Sequence, residues 1–168
     1  LNNSAIAYLA EQRIKLLVTA DCGISARSEV IEAKRLGMDV VVTDHHNVPV
    51  EMPPAVAVID PKRSDTRYPF NDLAGVGVAY KLLQAVSDAV KSEKNVEPFL
   101  DLVALGTVAD MVALLGENRY LVKRGLEILH KTKRIGIKEL AKCAGIPVSA
   151  IDTEVISWVL APRLNAAG

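Results

Sequence analysis

Val40-Val41-Val42-Thr43-Asp44-His45-His46 is the stretch on which the reading of this chain turns. Four β-branched residues in succession suit a short strand covered on both faces, and this one empties into a carboxylate and two imidazoles. Upstream, Leu16-Leu17-Val18-Thr19-Ala20 has the same character and also ends on an acid, Asp21, followed by Cys22 and Gly23. Ala55 to Ile59 reads as a third strand. Ser4 to Gln12 reads as a helix with Asn3 as its N-cap and Ile6, Leu9 and Ala10 on one side. Ser25 or Ser28 can cap a second helix carrying Val30, Ile31 and Leu36, and Gly37 suits its end. Helix, strand, helix, strand predicts an α/β fold with a parallel β-sheet flanked by helices. Ligands of such sheets lie outside the carboxyl ends of the strands, where Asp21 and Asp44-His45-His46 stand.

Pro61 to Asp72 is polar and reads as a loop. Beyond it the character changes to helices over Ala74 to Lys91, Pro98 to Ala109, Asn118 to Lys131, Ile137 to Cys143 and Glu154 to Leu160. The chain therefore divides into an α/β sheet portion, 1–60, and a mainly helical portion, 74–168, without internal repeats or low-complexity tracts.

The composition narrows the function classes. The 168 residues are half apolar and carry 20 Lys+Arg against 20 Asp+Glu, for a formal net charge of zero. That balance argues against a strongly basic DNA-coating protein, although a local basic patch or a bound metal can supply a field. Aromatic residues make up 4% of the chain, too few for a base-stacking platform. Cys22 and Cys143 form no CxxC pattern, which argues against a zinc site or a disulfide framework and fits a reducing, cytoplasmic compartment. No apolar run approaches the roughly 20 residues needed to span a membrane. A chain that starts at Leu1 rather than Met and stops at Gly168 reads as a piece of something longer.

Three stretches carry candidate chemistry. In Asp44-His45-His46, imidazole and carboxylate together suit Mn, Fe or Zn. Adjacent residues on extended backbone point in different directions, so one histidine can hold a metal while the other faces a substrate or packs. On pattern alone, metal ligation and a solvated polar loop both remain open. Asp21 taken alone could equally cap the following helix. Its placement parallel to Asp44 favours ligation, because neighbouring strands lie about 4.8 Å apart. Leu105-Gly106-Thr107-Val108-Ala109-Asp110 is an apolar helix ending on an acid, which the helix macrodipole disfavours and a bound cation would offset. His130 at a basic helix end reads as solvated, the Lys131-to-Arg134 run as a wet helix end, and Trp158 with Val155, Ile156, Val159 and Leu160 as core or interdomain packing.

Asp21 in Asp-Cys-Gly, the Asp44-His45-His46 triplet and Asp110 in Gly-Thr-Val-Ala-Asp resemble, in order and spacing, the second, third and fourth motifs of the DHH phosphoesterases. Leu73-Ala74-Gly75-Val76-Gly77-Val78-Ala79-Tyr80-Lys81-Leu82 and Pro162-Arg163-Leu164-Asn165-Ala166-Ala167-Gly168 resemble the RecJ-type single-strand DNA exonucleases in particular, as does Pro61-Lys62 with Tyr68-Pro69-Phe70. The resemblance implies that Asp21, His45 and Asp110 are metal ligands for two Mn²⁺ or Mg²⁺ ions, with Asp21 bridging. It implies that His46 faces the scissile phosphate or supports the metal shell, and that Asp44 orients a histidine through its other ring N–H. Arg163 and Asn165 would touch substrate phosphate, for which an Arg fork is suited. Gly75 and Gly77 would permit close packing at a helix start. The implied activity is 5′→3′ hydrolysis of single-stranded DNA to mononucleotides in repair and recombination, with a single-strand-binding protein as a partner. The alternatives are a small DHH oligoribonucleotide or cyclic-dinucleotide phosphodiesterase, a family II pyrophosphatase, or a non-catalytic DHH-like scaffold.

The superfamily's first motif, an Asp-x-Asp pair, has no counterpart here, and neither does its glycine-rich second domain. Two-metal hydrolysis needs both ions, about 3.5–4 Å apart. The isolated chain is therefore expected to show little or no Mn²⁺-dependent nuclease turnover, and robust digestion of a single-stranded oligonucleotide by this chain alone would refute that expectation.

Overall fold

Val40 and Val42 are fully buried in the middle strand of a three-stranded parallel sheet. That strand, β2 (Asp39–Thr43), pairs with β1 (Leu16–Ala20) on one side and β3 (Ala57–Ile59) on the other. The computed structural model describes residues 1–166. They divide into a unit spanning Leu1–Ala79 and a second beginning at Tyr80, with the division inside one helix.

In the first unit, α1 (Asn3–Glu11) and α2 (Arg27–Arg35) supply Ile6, Val30 and Ala33 to a core completed by Met38, Val40 and Val42. α1 is capped one residue earlier than the sequence suggests: Asn2 Oδ1 accepts the Ala5 amide at 2.8 Å. Neither Ser25 nor Ser28 caps α2. Its N-cap is Ala26, with no side-chain bond, and Ser28 Oγ bonds Glu29 instead. Gly37, at φ +79°, follows the helix in the left-handed conformation that glycine adopts without steric cost.

β1 departs from the expectation of burial on both faces. Leu17 and Thr19 face the core, whereas Leu16 and Val18 are about half exposed, at 54% and 51%. β1 is an edge strand of this sheet, and the side that Leu16 and Val18 share stays about half open to solvent. β3 is also shorter than read from the sequence, starting at Ala57.

The carboxyl ends of the strands are cross-tied. Thr43 Oγ1 donates to Thr19 O at 2.7 Å, and Thr19 Oγ1 donates to Cys22 O at 2.7 Å. The ladder continues past the strands, with the Asp21 amide on Thr43 O at 3.1 Å and the Asp44 amide on Ile59 O at 3.0 Å. The buried threonines thereby satisfy their hydroxyls and fix the exit direction of both loops.

α3 (Gly75–Ala89) crosses into the second unit, which continues with α4 (Leu100–Ala109), α5 (Gly116–Leu129), α6 (Ile135–Cys143), α7 (Thr153–Val155) and α8 (Ala161–Asn165). A π-helical stretch, Ile156–Leu160, joins the last two. Its core gathers Val108, Val122, Leu129, Ile151, Ile156 and Leu160. Trp158, expected to pack, is 80% exposed: Ile156 and Leu160, four apart, take the buried face and turn the residue between them outward. His130 lies on the surface with Nε2 2.7 Å from Ile151 O. Asp101, 2% exposed, is matched by the Thr132 hydroxyl at 2.8 Å and by Arg134 Nε, and the Arg134 guanidinium lies 5.1 Å from the Phe99 ring centre. Among the described residues no helix is long and apolar enough to cross a membrane.

α4 and α5 approach closely through their backbones at Gly125, where an added Cβ would collide with Leu100 O and lie 2.6 Å from Ala104 Cβ. Gly125→Ala is expected to cost about 1–3 kcal/mol through overpacking. Gly136→Ala, where nothing lies within 4 Å, is expected to be neutral or stabilising by up to about 1 kcal/mol. Paired urea titrations of the two variants check this.

Candidate metal centre

Parallel register brings Ala20, Thr43 and Ile59 into one row, since Ala20 pairs with Thr43 and Thr43 with Ile59. The next residue on each strand is an aspartate: Asp21, Asp44 and Asp60. Three carboxylates thus leave the same sheet edge, and their surroundings sort them into different roles.

Asp44 is completely buried. Its Oδ2 accepts the Ile24 amide at 2.9 Å, tying the loop after β1 to the loop after β2. Its Oδ1 accepts the His45 amide at 2.8 Å and the His46 amide at 3.3 Å, and lies 2.7 Å from His46 Nδ1. Burial alone would raise the Asp44 carboxyl. The Ile24 amide, the His46 ring and the His45 and His46 amides outweigh it and hold the group below the usual carboxylate range. An ionised carboxylate at Nδ1 requires the proton there, so in the neutral ring the His46 lone pair is at Nε2.

Asp21 stands in the left-handed region, at φ +62°. Aspartate tolerates that conformation better than most residues, at some cost, and such strain concentrates at functional sites. Gly23, at φ +112°, completes the turn, and a Cβ there would lie 2.9 Å from Thr19 Oγ1. Asp21 Oδ1 lies 2.9 Å from Nε2 of the buried His45. One donor atom each from Asp21, His45 and His46 falls within 4.8 Å of the other two. Gly75 at the start of α3 packs directly on the Asp21 side chain.

Asp60 was not picked out from the sequence. It is 4% exposed, with Oδ1 accepting the Lys62 amide at 2.8 Å and Oδ2 buried without a partner among the described residues. Burial pushes its carboxyl up, and the nearby Asp44 charge adds to the rise against the Lys62 amide. The available signal was repetition, because a strand followed at once by an acid occurs a third time at Ile59-Asp60.

The donor set fits a divalent first-row or hard cation. Two ligands bound at about 2.1 Å and about a right angle stand about 3 Å apart, close to the Asp21–His45 separation. A carboxylate with two imidazoles, one buried and two groups exposed, would leave coordination positions open on the solvent side.

The other sequence candidates lie in the second unit. Asp110 is the C-cap of α4, its amide on Gly106 O at 2.9 Å, and it precedes Met111 at φ +57°. Arg163 is exposed, with one terminal nitrogen donating to Val159 O at 2.7 Å. Asn165 ends α8 and is exposed. Ala167 and Gly168 of the same run lie outside the described residues.

Asp44→Ala would leave the buried amides of Ile24, His45 and His46 without their acceptor. The expected cost is about 3 kcal/mol or more, read as a lower urea midpoint. Because its carboxyl is lowered in the folded state, Asp44 contributes stability that is present above the ordinary carboxylate pKa and lost as pH falls through the lowered one. The corresponding part of the acid limb in a stability-versus-pH profile should be absent from Asp44→Asn.

Comparison with known proteins follows the same lines. The model of the DHH family, N-terminal domain, matches residues 1–107. The single-stranded-DNA-specific exonuclease RecJ of Bacillus subtilis is 44% identical over 167 residues, covering 99% of this chain and 21% of that protein. The RecJ of Dickeya dadantii is 40% identical over 179 residues, covering 100% and 31%. The chain thus spans under a third of the length of these relatives. A crystal structure of exonuclease RecJ bound to manganese superposes with a TM-score of 0.85 at 31% identity, over 99% of this chain and 41% of that one. With its family model matched from Leu1 through Thr107, this chain belongs to the DHH family.

Proposed function

We propose that this chain is the metal-holding part of a single-stranded-DNA-specific exonuclease, a metal-dependent phosphodiesterase that degrades DNA from the 5′ end to mononucleotides in cytoplasmic repair and recombination. The observation that carries the reading is the convergence of Asp21, His45 and His46 donors within 4.8 Å at the carboxyl edge of the sheet. The RecJ relatives support the substrate class, and the manganese-bound RecJ structure supports the metal.

Asp21 and His45 would hold Mn²⁺ or Mg²⁺, which when bound supplies neutralisation of the charge that develops on a phosphate under in-line attack. Asp110 takes the carboxylate-ligand role that its Gly-Thr-Val-Ala-Asp motif implies. Asp44 fixes the His46 ring through Nδ1, so that His46 faces the scissile phosphate or supports the metal shell. Arg163 would offer its fork to a backbone phosphate beside Asn165. A single-strand-binding protein is the proposed partner.

Calorimetric titration with Mn²⁺ tests the site. The wild-type chain should bind, Asp21→Ala and His45→Ala should each lose measurable binding, and Asp44→Asn should bind about 10–100-fold more weakly, as loss of a residue that orients a ligand does. Equal binding by wild type and Asp21→Ala would sink the assignment. Asp110→Ala in the same titration tests the motif-based role. For the substrate, Asp21→Asn in the full-length enzyme should abolish Mn²⁺-dependent digestion of a single-stranded oligonucleotide. Digestion confined to dinucleotides or pyrophosphate would replace the substrate class.

A further inference from the structure

Gly75, the first residue of the 15-residue helix α3, abuts Asp21. A Cβ at position 75 would stand 2.5 Å from Asp21 Oδ1 and 2.8 Å from both Asp21 Cβ and Cγ. Collision with Cβ matters most, because that atom is fixed to the backbone and no change of side-chain rotamer moves it away. The Asp21 backbone is itself held, with its amide on Thr43 O at 3.1 Å and its φ at +62°. The turn behind it closes on Gly23, where Thr19 leaves no room for a side chain. On the other side, Leu73 and Ala74, just before the helix, are 2% and 0% exposed and cannot easily retreat. Neither wall of the contact can yield without disturbing buried structure.

We infer that Gly75 is a positioning residue of the metal centre: its missing Cβ is the slot in which the Asp21 side chain stands, holding Oδ1 2.9 Å from His45 Nε2. The inference deepens the metal-site reading proposed above and rests on it for its functional meaning. Gly77, two residues along the same helix, is the internal contrast. The atoms nearest a Cβ there belong to the Leu73 side chain, with the terminal Cδ2 at 3.2 Å, a contact that a shift of a few tenths of an ångström at that methyl relieves while the Leu73 backbone stays in place. Alanine relieves the entropic cost of glycine at both positions, so on helix propensity alone the two substitutions are equivalent. They differ only in what the new methyl touches.

The test compares wild type, Gly75→Ala and Gly77→Ala by Mn²⁺ calorimetry and, without metal, by the ¹⁵N signals of the His45 ring. Gly75→Ala should bind Mn²⁺ roughly 10-fold or more weakly and shift the His45 ring signals in the metal-free protein, while Gly77→Ala matches wild type in both. Wild-type behaviour of Gly75→Ala in both measurements overturns the inference. Should wild type bind no Mn²⁺ while the His45 signals still move in Gly75→Ala, the metal reading fails and the positioning of Asp21 stands. Should Gly75→Ala fail to fold, the double variant Asp21→Gly/Gly75→Ala should fold, because the side chain in the way has been removed, and its failure to do so overturns the inference.

Discussion

One buried carboxylate organises the edge of the sheet. Asp44 lies out of contact with solvent and accepts three backbone amides and a ring nitrogen. Burying a charge without partners costs several kcal/mol, so the loops after β1 and β2 must bring their donors to it or the fold loses stability there. Satisfying Asp44 therefore closes the loop through Ile24, sets the course of the chain through His45, and orients the His46 ring. The same bonds that make the fold tolerable hold the exposed His46 ring in a defined orientation beside the buried His45. Structural necessity and site geometry are here one set of hydrogen bonds.

Three aspartates leave adjacent strands, and their charges repel. The arrangement distributes that repulsion unequally. Asp44 is satisfied by donors that hold its carboxyl below the usual range, Asp60 is buried with one oxygen unmatched and pushed above it, and Asp21 is exposed beside an imidazole. A cation at the mouth would relieve what remains of the repulsion, which is the electrostatic argument for a metal at this edge. Asp21 also adopts a left-handed backbone conformation against a helix start with no side chain. Strain of that kind persists only where the surroundings over-determine it, and the Thr43 carbonyl, Gly23 and Gly75 do so.

The second unit is built on different economics. It has an apolar core of its own, and its buried charge, Asp101, is paired with the Arg134 guanidinium and accepts from the Thr132 hydroxyl and the Leu102 amide. α4 and α5 approach each other closely at Gly125. Asp110 sits at the end of one of those two helices, in the C-cap position that the macrodipole disfavours for an acid.

Much of this was legible in residue order. Runs of β-branched residues fall on strands, the α/β alternation gives a parallel sheet, and acids at strand ends fall at its carboxyl edge, because period and local propensity are properties of neighbouring residues. The family motifs at Asp21, Asp44-His45-His46 and Asp110 are equally local. What sequence could not decide depended on distant residues. The exposure of Leu16 and Val18 depends on what lies beside an edge strand, and that of Trp158 on which helix face meets the core. The role of Asp60 appeared only when register placed it beside Asp44, and Gly75 gained its meaning only when packing put it on Asp21, 54 positions earlier in the chain. Local chemistry determined which groups could form a site. Long-range packing decided which of them share it, because a carboxylate's ionisation and a glycine's missing methyl are set by whatever the fold brings within a few ångströms.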